Sequence, residues 1–301
     1  MGGLKDKILR WFQSGEPSPF SKLEVQALTL ENHPDNIATF EALSLYEACL
    51  KADQAFRQEG IQGAVWVRNE QQPFLSNRLG VIQRLRDLSA DPEFGASAMR
   101  RMNGMNVKTN LFTNDSGELV PAFEHSADGL PQGLVFDPQE VLEPQRLQEL
   151  AELSQLFGRC ALSSRYEMNE HIDPHYDHWT LFPGTAPLDD RLFQGHDVRI
   201  LIARHQPSVM VYRAPEERPI YDRGGVIPGQ EKDKLKEVWQ PATGDYIFTC
   251  DLTWGVGKAL AHSSPDFSCE SEEDCRILDV YDVGEGREIS AFTTPPEAEP
   301  A

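Results

Sequence analysis

Between residues 160 and 285 the chain is cut into short runs rich in β-branched and aromatic residues, separated by Gly, Pro and Asp. The runs are 161–168, 198–203, 209–213, 246–252, 259–262 and 276–283. Strands this short cannot each bury a face alone, and at this spacing they fit an all-β sandwich or barrel. The chain before them has a different character. Leu147, Leu150, Leu153 and Leu156 repeat at three-residue steps, which predicts a helix over 144–157 with Gly158 as its C-cap. Residues 36–59 read as another helix, capped by Asp35 and stopped by Gly60, and 77–89 as a third. Strand-like runs at 107–112 and 118–123 flank Asn114-Asp115-Ser116-Gly117, a hairpin turn. A short amphipathic stretch at 4–13, with Leu4, Ile8 and Phe12 at helical spacing, is expected to dock on the domain.

The layout expected is therefore α+β. Residues 1–158 form a mainly helical region with a β-hairpin, 159–290 a β core, and 291–301 a disordered Pro-, Glu- and Ala-rich tail. No sharp linker separates the halves.

The 301 residues carry 28 basic and 48 acidic side chains, a net charge of −20, which disfavours non-specific nucleic-acid binding. No apolar run approaches the ~20 residues of a membrane span. The start, Met1-Gly2-Gly3-Leu4-Lys5, lacks a signal peptide's apolar region, so a soluble cytoplasmic protein is expected. The five cysteines are odd in number and widely spaced, which speaks against a disulfide framework, and no Cys-x-x-Cys offers a zinc ribbon.

The chemistry concentrates in 171–178, His-Ile-Asp-Pro-His-Tyr-Asp-His. A histidine and an aspartate two residues apart on a strand share one side of the pleat. Two such pairs compete, His171/Asp173 and His175/Asp177. Pro174 cannot donate to a ladder and marks a strand start, which favours the second pair. Tyr176 between its members then faces the other way. Downstream, 259–265 brings His262 to the end of a strand before a proline. His175, Asp177 and His262 together form a two-histidine, one-carboxylate face with open positions opposite, the pattern that suits non-haem iron(II). Arg276 opens the apolar run 276–283 and needs an anion: a ligand carboxylate, or a carboxylate of the protein itself. Arg199, Arg204 and Arg213 lie in or beside strand-like runs, facing either a cavity or the surface.

These residues resemble the iron(II)- and 2-oxoglutarate-dependent dioxygenase superfamily, and prolyl-hydroxylase-type members in particular. Tyr166 followed by Pro174-His175-Tyr176-Asp177, then Gly244-Asp245, then His262-Ser263-Ser264-Pro265 match that pattern in order and context. The resemblance implies a double-stranded β-helix (jelly-roll) core, iron(II) held by His175, Asp177 and His262, and 2-oxoglutarate as co-substrate. It implies Arg276 as the partner of the co-substrate's far carboxylate, with Tyr166 donating to the same group. It implies dioxygen as a reactant and hydroxylation of a small molecule or a protein side chain. The sequence departs from the pattern where Arg276 stands for the usual lysine and where 182–196 looks like an insertion. Two alternatives stay open: a cupin-like protein binding zinc, nickel or manganese with His205 or His178 as a further ligand, and a non-catalytic β-sandwich module.

Overall fold

The computed structural model describes residues 34–68, 78–89, 107–113, 119–121, 142–157, 160–177, 193, 196–213, 219, 221, 225–255 and 257–283. The stretch 4–13, the turn 114–117, most of the insertion 182–196 and the tail 291–301 lie outside the described residues.

The strands, in chain order, are β1 (Ile37–Phe40), β2 (Gly63–Trp66), β3 (Val107–Thr113), β4 (Leu119–Pro121), β5 (Cys160–Glu167), β6 (Asn169–Glu170) and β7 (Val198–His205). They continue as β8 (Met210–Arg213), β9 (Lys236–Trp239), β10 (Tyr246–Cys250), β11 (His262–Ser263), β12 (Phe267–Ser268) and β13 (Arg276–Val283). Among the described residues three α-helices join them: α1 (Leu45–Phe56), α2 (Arg78–Ser89) and α3 (Pro144–Phe157). Eight strands make one sheet in the order β1-β2-β10-β7-β13-β5-β3-β4, and β11-β8-β9 make a smaller one. Strands β6 and β12 pair as a third, two-stranded ribbon. Only the β1–β2 pairing is parallel among the registered ladders.

The central strands of the large sheet are buried on both faces. Its outer face packs Phe40, Trp66, Phe248, Ile200 and Tyr281 against Phe56 of α1 and Leu150 and Leu153 of α3. Its inner face packs Leu201, Ile247, Leu278 and Val280 against Val211 of β8 and Leu260. Because side chains alternate along a strand, even-numbered positions of β13 face inward and odd-numbered ones outward. That alternation decides which strand residues can reach the site.

Residues 36–44 do not join the helix expected there. Ile37 and Phe40 sit three apart, as on a helix, but all four residues of β1 are buried and pair with 63–66. The helix begins instead at Ser44, whose Oγ accepts from Glu47 N at 3.1 Å while Glu47 Oε2 accepts from Leu43 N at 2.8 Å. The β1 and β2 strands, together with the β3–β4 hairpin, give the N-terminal half four strands in the same sheet as the C-terminal half. The helix 144–157 and the strand 276–283 stand where the periodicity puts them. The five cysteines are free. No helix among the described residues is long and apolar enough to cross a membrane.

A buried charge network pins α3 to the outer face. Arg146 of α3 contacts Asp279 at 3.0 Å, and Arg204 of β7 donates to the same oxygen at 2.8 Å. Arg204 also pairs with Glu149 of α3, whose carboxylate accepts from the Tyr281 hydroxyl at 2.6 Å. Asp279 is fully buried between two cations. Truncating one member of such a group strands the others without counter-charge, which typically costs about 3–5 kcal/mol. Asp279→Ala is expected to lower unfolding stability by that amount in a urea titration, whereas a loss under about 1 kcal/mol would show that the network is not fully desolvated.

Candidate metal centre

Residues 174–177 run as an extended segment beside β11. His175 N donates to His262 O at 2.9 Å and His262 N to His175 O at 3.0 Å. Two residues that exchange both backbone bonds lie directly opposite each other with side chains on the same face. This fixes the two imidazoles side by side, ring centroids 4.5 Å apart. The other edge of 174–177 pairs with 225–227, through Tyr176 N to Gly225 O and Ile227 N to Pro174 O, both 2.9 Å. Pro174 sits where no ladder donor is needed from it. Tyr176 points away from the histidines, into a cluster with Ile227, Leu252, Ala259 and Ala261. Asp177, two residues on, returns to the histidine face, its carbonyl held by Leu252 N at 2.9 Å.

Both histidines are set in the same tautomer by the backbone. His175 Nδ1 lies 2.8 Å from Asp173 O, and His262 Nδ1 lies 3.2 Å from Leu260 O. A carbonyl oxygen only accepts, so each Nδ1 carries the proton and each Nε2 presents a lone pair. Those lone pairs face the Asp177 carboxylate, with Oδ2 3.4 Å from His262 Nε2 and Oδ1 3.9 Å from His175 Nε2. Oδ2 is buried and accepts no hydrogen bond. Two atoms each about 2.1 Å from one ion at a right angle stand about 3 Å apart, so the three groups fit around a single cation. Among the described residues this is the one group of His, Cys, Asp or Glu side chains that converges in this way.

Asp177 is oriented by Arg199 of β7, which pairs with its Oδ1 and also with Asp282 of β13. Burial opposes ionisation of Asp177, but Arg199, the two histidines and Arg165 outweigh it and hold the carboxyl at about 2. Burial, reinforced by neighbouring His262, pushes His175 down to about 4, so its imidazole is neutral at physiological pH, as a ligand must be.

The competing pair went elsewhere. His171 is exposed and contacts Asp266 and Asp173, and Asp173 pairs with Lys232. His205 stands at the far end of β7, where Arg78 and Asp274 are its charged neighbours, and is outside the convergent group. His178 lies outside the described residues.

Two expected anion-binding residues are placed otherwise. Tyr166 is paired across the ladder with Ile277, an odd-numbered position of β13, and so faces outward. Its hydroxyl accepts from Arg146 at 2.8 Å, on the opposite side of the sheet from His175 and His262. Arg276 does face inward, but it is fully buried and already committed. It donates to Glu167 Oε2 at 2.9 Å, to Pro207 O at 2.8 Å and to Ser264 Oγ at 3.3 Å. This is the internal ion pair that the sequence left open as an alternative. Of the other arginines, Arg199 reaches Asp177, Arg204 belongs to the outer network, and Arg213 pairs with Asp35 near the surface. The inward-facing Arg165 was missed. Its signal was a charge in the middle of the run 161–168.

No family model and no curated protein sequence matches the chain. Among solved structures it is similar to a full-length Neurospora crassa protein in complex with alpha-KG (9% identity, 88% of each chain, TM-score 0.39). It is also similar to dioxygenase for auxin oxidation 1 of Arabidopsis thaliana bound to 2-oxoglutarate (8% identity, 87% of this chain and 98% of that one, TM-score 0.36). With SnoN, an alpha ketoglutarate dependent epimerase of nogalamycin biosynthesis, it shares 13% identity over 46% of this chain (TM-score 0.27). It spans about half, 54%, of the length of SnoN. With every one of these TM-scores below 0.5, the site rests on the chain's own geometry.

The neutral state of His175 has a consequence for the metal-free protein. Its folded pKa lies below the unfolded value near 6.5, so below that pH the unfolded chain binds more protons and stability falls as pH falls toward 4. The loss is on the order of 3 kcal/mol. Asp177 adds a smaller loss as pH falls from 3.8 through about 2. Urea unfolding of metal-free protein at pH 7 and pH 5 is expected to show the decline, and His175→Gln to flatten it. An unchanged slope in that variant would contradict the assignment.

Proposed function

We propose that the chain is an iron(II)- and 2-oxoglutarate-dependent dioxygenase that hydroxylates a small molecule or a protein side chain. The observation that carries this reading is three acceptor atoms, His175 Nε2, His262 Nε2 and Asp177 Oδ2, facing one another in a buried site. Three lone pairs turned inward repel unless a cation lies between them. Two imidazoles and one carboxylate on one side leave the opposite positions free for a bidentate co-substrate and dioxygen. When bound, iron(II) with 2-oxoglutarate and dioxygen supplies the oxidising chemistry. The chain's own share is positioning. Asp173 O and Leu260 O fix the ring tautomers, Arg199 fixes the carboxylate, and the backbone exchange between His175 and His262 fixes their separation.

The same reading takes 159–290 as a double-stranded β-helix, in which β11-β8-β9 and the segment 174–177 face the inner side of β10-β7-β13-β5. What supports it is the inner cluster, where Leu201 and Val280 of one sheet meet Val211 and Leu260 of the other side. The helical elements of 1–158 buttress the outer face. The far carboxylate of 2-oxoglutarate needs a guanidinium on the inner face, and Arg276 and Arg165 are the two candidates.

Anaerobic addition of iron(II) and then 2-oxoglutarate is expected to raise a weak visible charge-transfer band at one equivalent of each. His262→Ala is expected to weaken iron binding by more than about 100-fold, beyond the usual cost of losing an outer-shell partner. Tight zinc binding with no response to 2-oxoglutarate would instead favour a cupin-like metal protein without this chemistry.

A further inference from the structure

We propose that Arg165, and not Arg276, receives the second carboxylate of a dicarboxylic acid bound at this centre. The inference rests on the metal reading above and assigns the acid's partner within it. Four arginines lie on the central strands of the large sheet, and three are neutralised by protein acids. Arg204 faces outward to Asp279 and Glu149, Arg199 faces inward to Asp177 and Asp282, and Arg276 faces inward to Glu167. Arg165 pairs across the ladder with Leu278, whose side chain belongs to the inner cluster, so Arg165 shares the inward face.

The Arg165 Nε is buried and makes no hydrogen bond, and among the described residues the guanidinium has no ion pair. Its ladder neighbours, Leu278 of β13 and Lys108 of β3, carry no carboxylate. The nearest acid on its own strand face, Glu167, is taken by Arg276 directly opposite. The Arg165 side chain is half-buried, and a carboxylate matches its guanidinium fork bidentately.

The spacing fits an extended diacid. Four residues of β13, about 13 Å by strand rise, separate the rung of Leu278 and Arg165 from the rung of Asp282 and Arg199. An arginine stem and a five-carbon diacid chelated at one end together cover that span. Arg276 is two residues further off, and using it would require Glu167 to release it.

The test compares 2-oxoglutarate with pyruvate, a 2-oxo acid with no second carboxylate, by anaerobic titration of the iron(II)-loaded full-length protein. Arg165→Gln, Arg165→Lys and Arg276→Gln are titrated beside the parent, with iron affinity and thermal melting as controls. Arg165→Gln is expected to weaken 2-oxoglutarate by about 10- to 100-fold, the span of a lost charge-assisted pair, and pyruvate by less than about 2-fold. Arg165→Lys, which keeps the charge but loses the fork, is expected to fall between. Arg276→Gln is expected to lower the melting temperature without changing the ratio of the two affinities. If Arg276→Gln collapses that ratio while Arg165→Gln and Arg165→Lys leave it intact, the proposal is overturned and the dioxygenase reading stands. If the parent binds iron but neither acid, the dioxygenase reading itself is lost, and this assignment with it.

Discussion

The backbone exchange between His175 and His262 is the contact on which the site depends. Two hydrogen bonds, at 2.9 and 3.0 Å, join segments 87 residues apart in the chain and decide that their side chains share a face. The 225–227 segment closes the other edge of 174–177, Tyr176 anchors the reverse face, and β8 carries β11. Once the pair is formed, pleat alternation alone returns Asp177 to the same side.

The large sheet then separates two electrostatic jobs. On its outer face, arginines and acids from α3, β7 and β13 pair with one another, and their product is the docking of α3. On its inner face the compensation is partial. Arg199 takes one oxygen of Asp177 and leaves the other bare, and Glu167 takes Arg276 while Arg165 stays without an acid among the described residues. Incomplete compensation on one face is what separates a site from a structural network, because only unmet groups can bind something new.

Much of this was legible in the sequence, and the gaps have a common cause. The strand at 276–283 and the helix at 144–157 were readable because each is long and strongly periodic. The choice of His175/Asp177 over His171/Asp173 followed from Pro174, a backbone property that survives without tertiary context. The strands at 37–40 and 63–66 were missed because four buried residues carry no alternation to read. The resemblance put Tyr166 beside the ligand carboxylate, but a one-residue step on a strand exchanges faces, and the register turns Tyr166 outward. Arg276 was read as needing an anion, but Glu167, 109 positions earlier and directly opposite it, could not be seen without the register.

Whether His175, Asp177 and His262 hold one cation is tested most directly by locating the ion. Anomalous diffraction from crystals of the protein loaded with manganese(II), a redox-stable stand-in for iron(II), is expected to place one strong peak about 2.1 Å from both Nε2 atoms and from an oxygen of Asp177. A peak at the exposed His171, Asp173 and Asp266 group instead, or none near His262, would contradict that assignment.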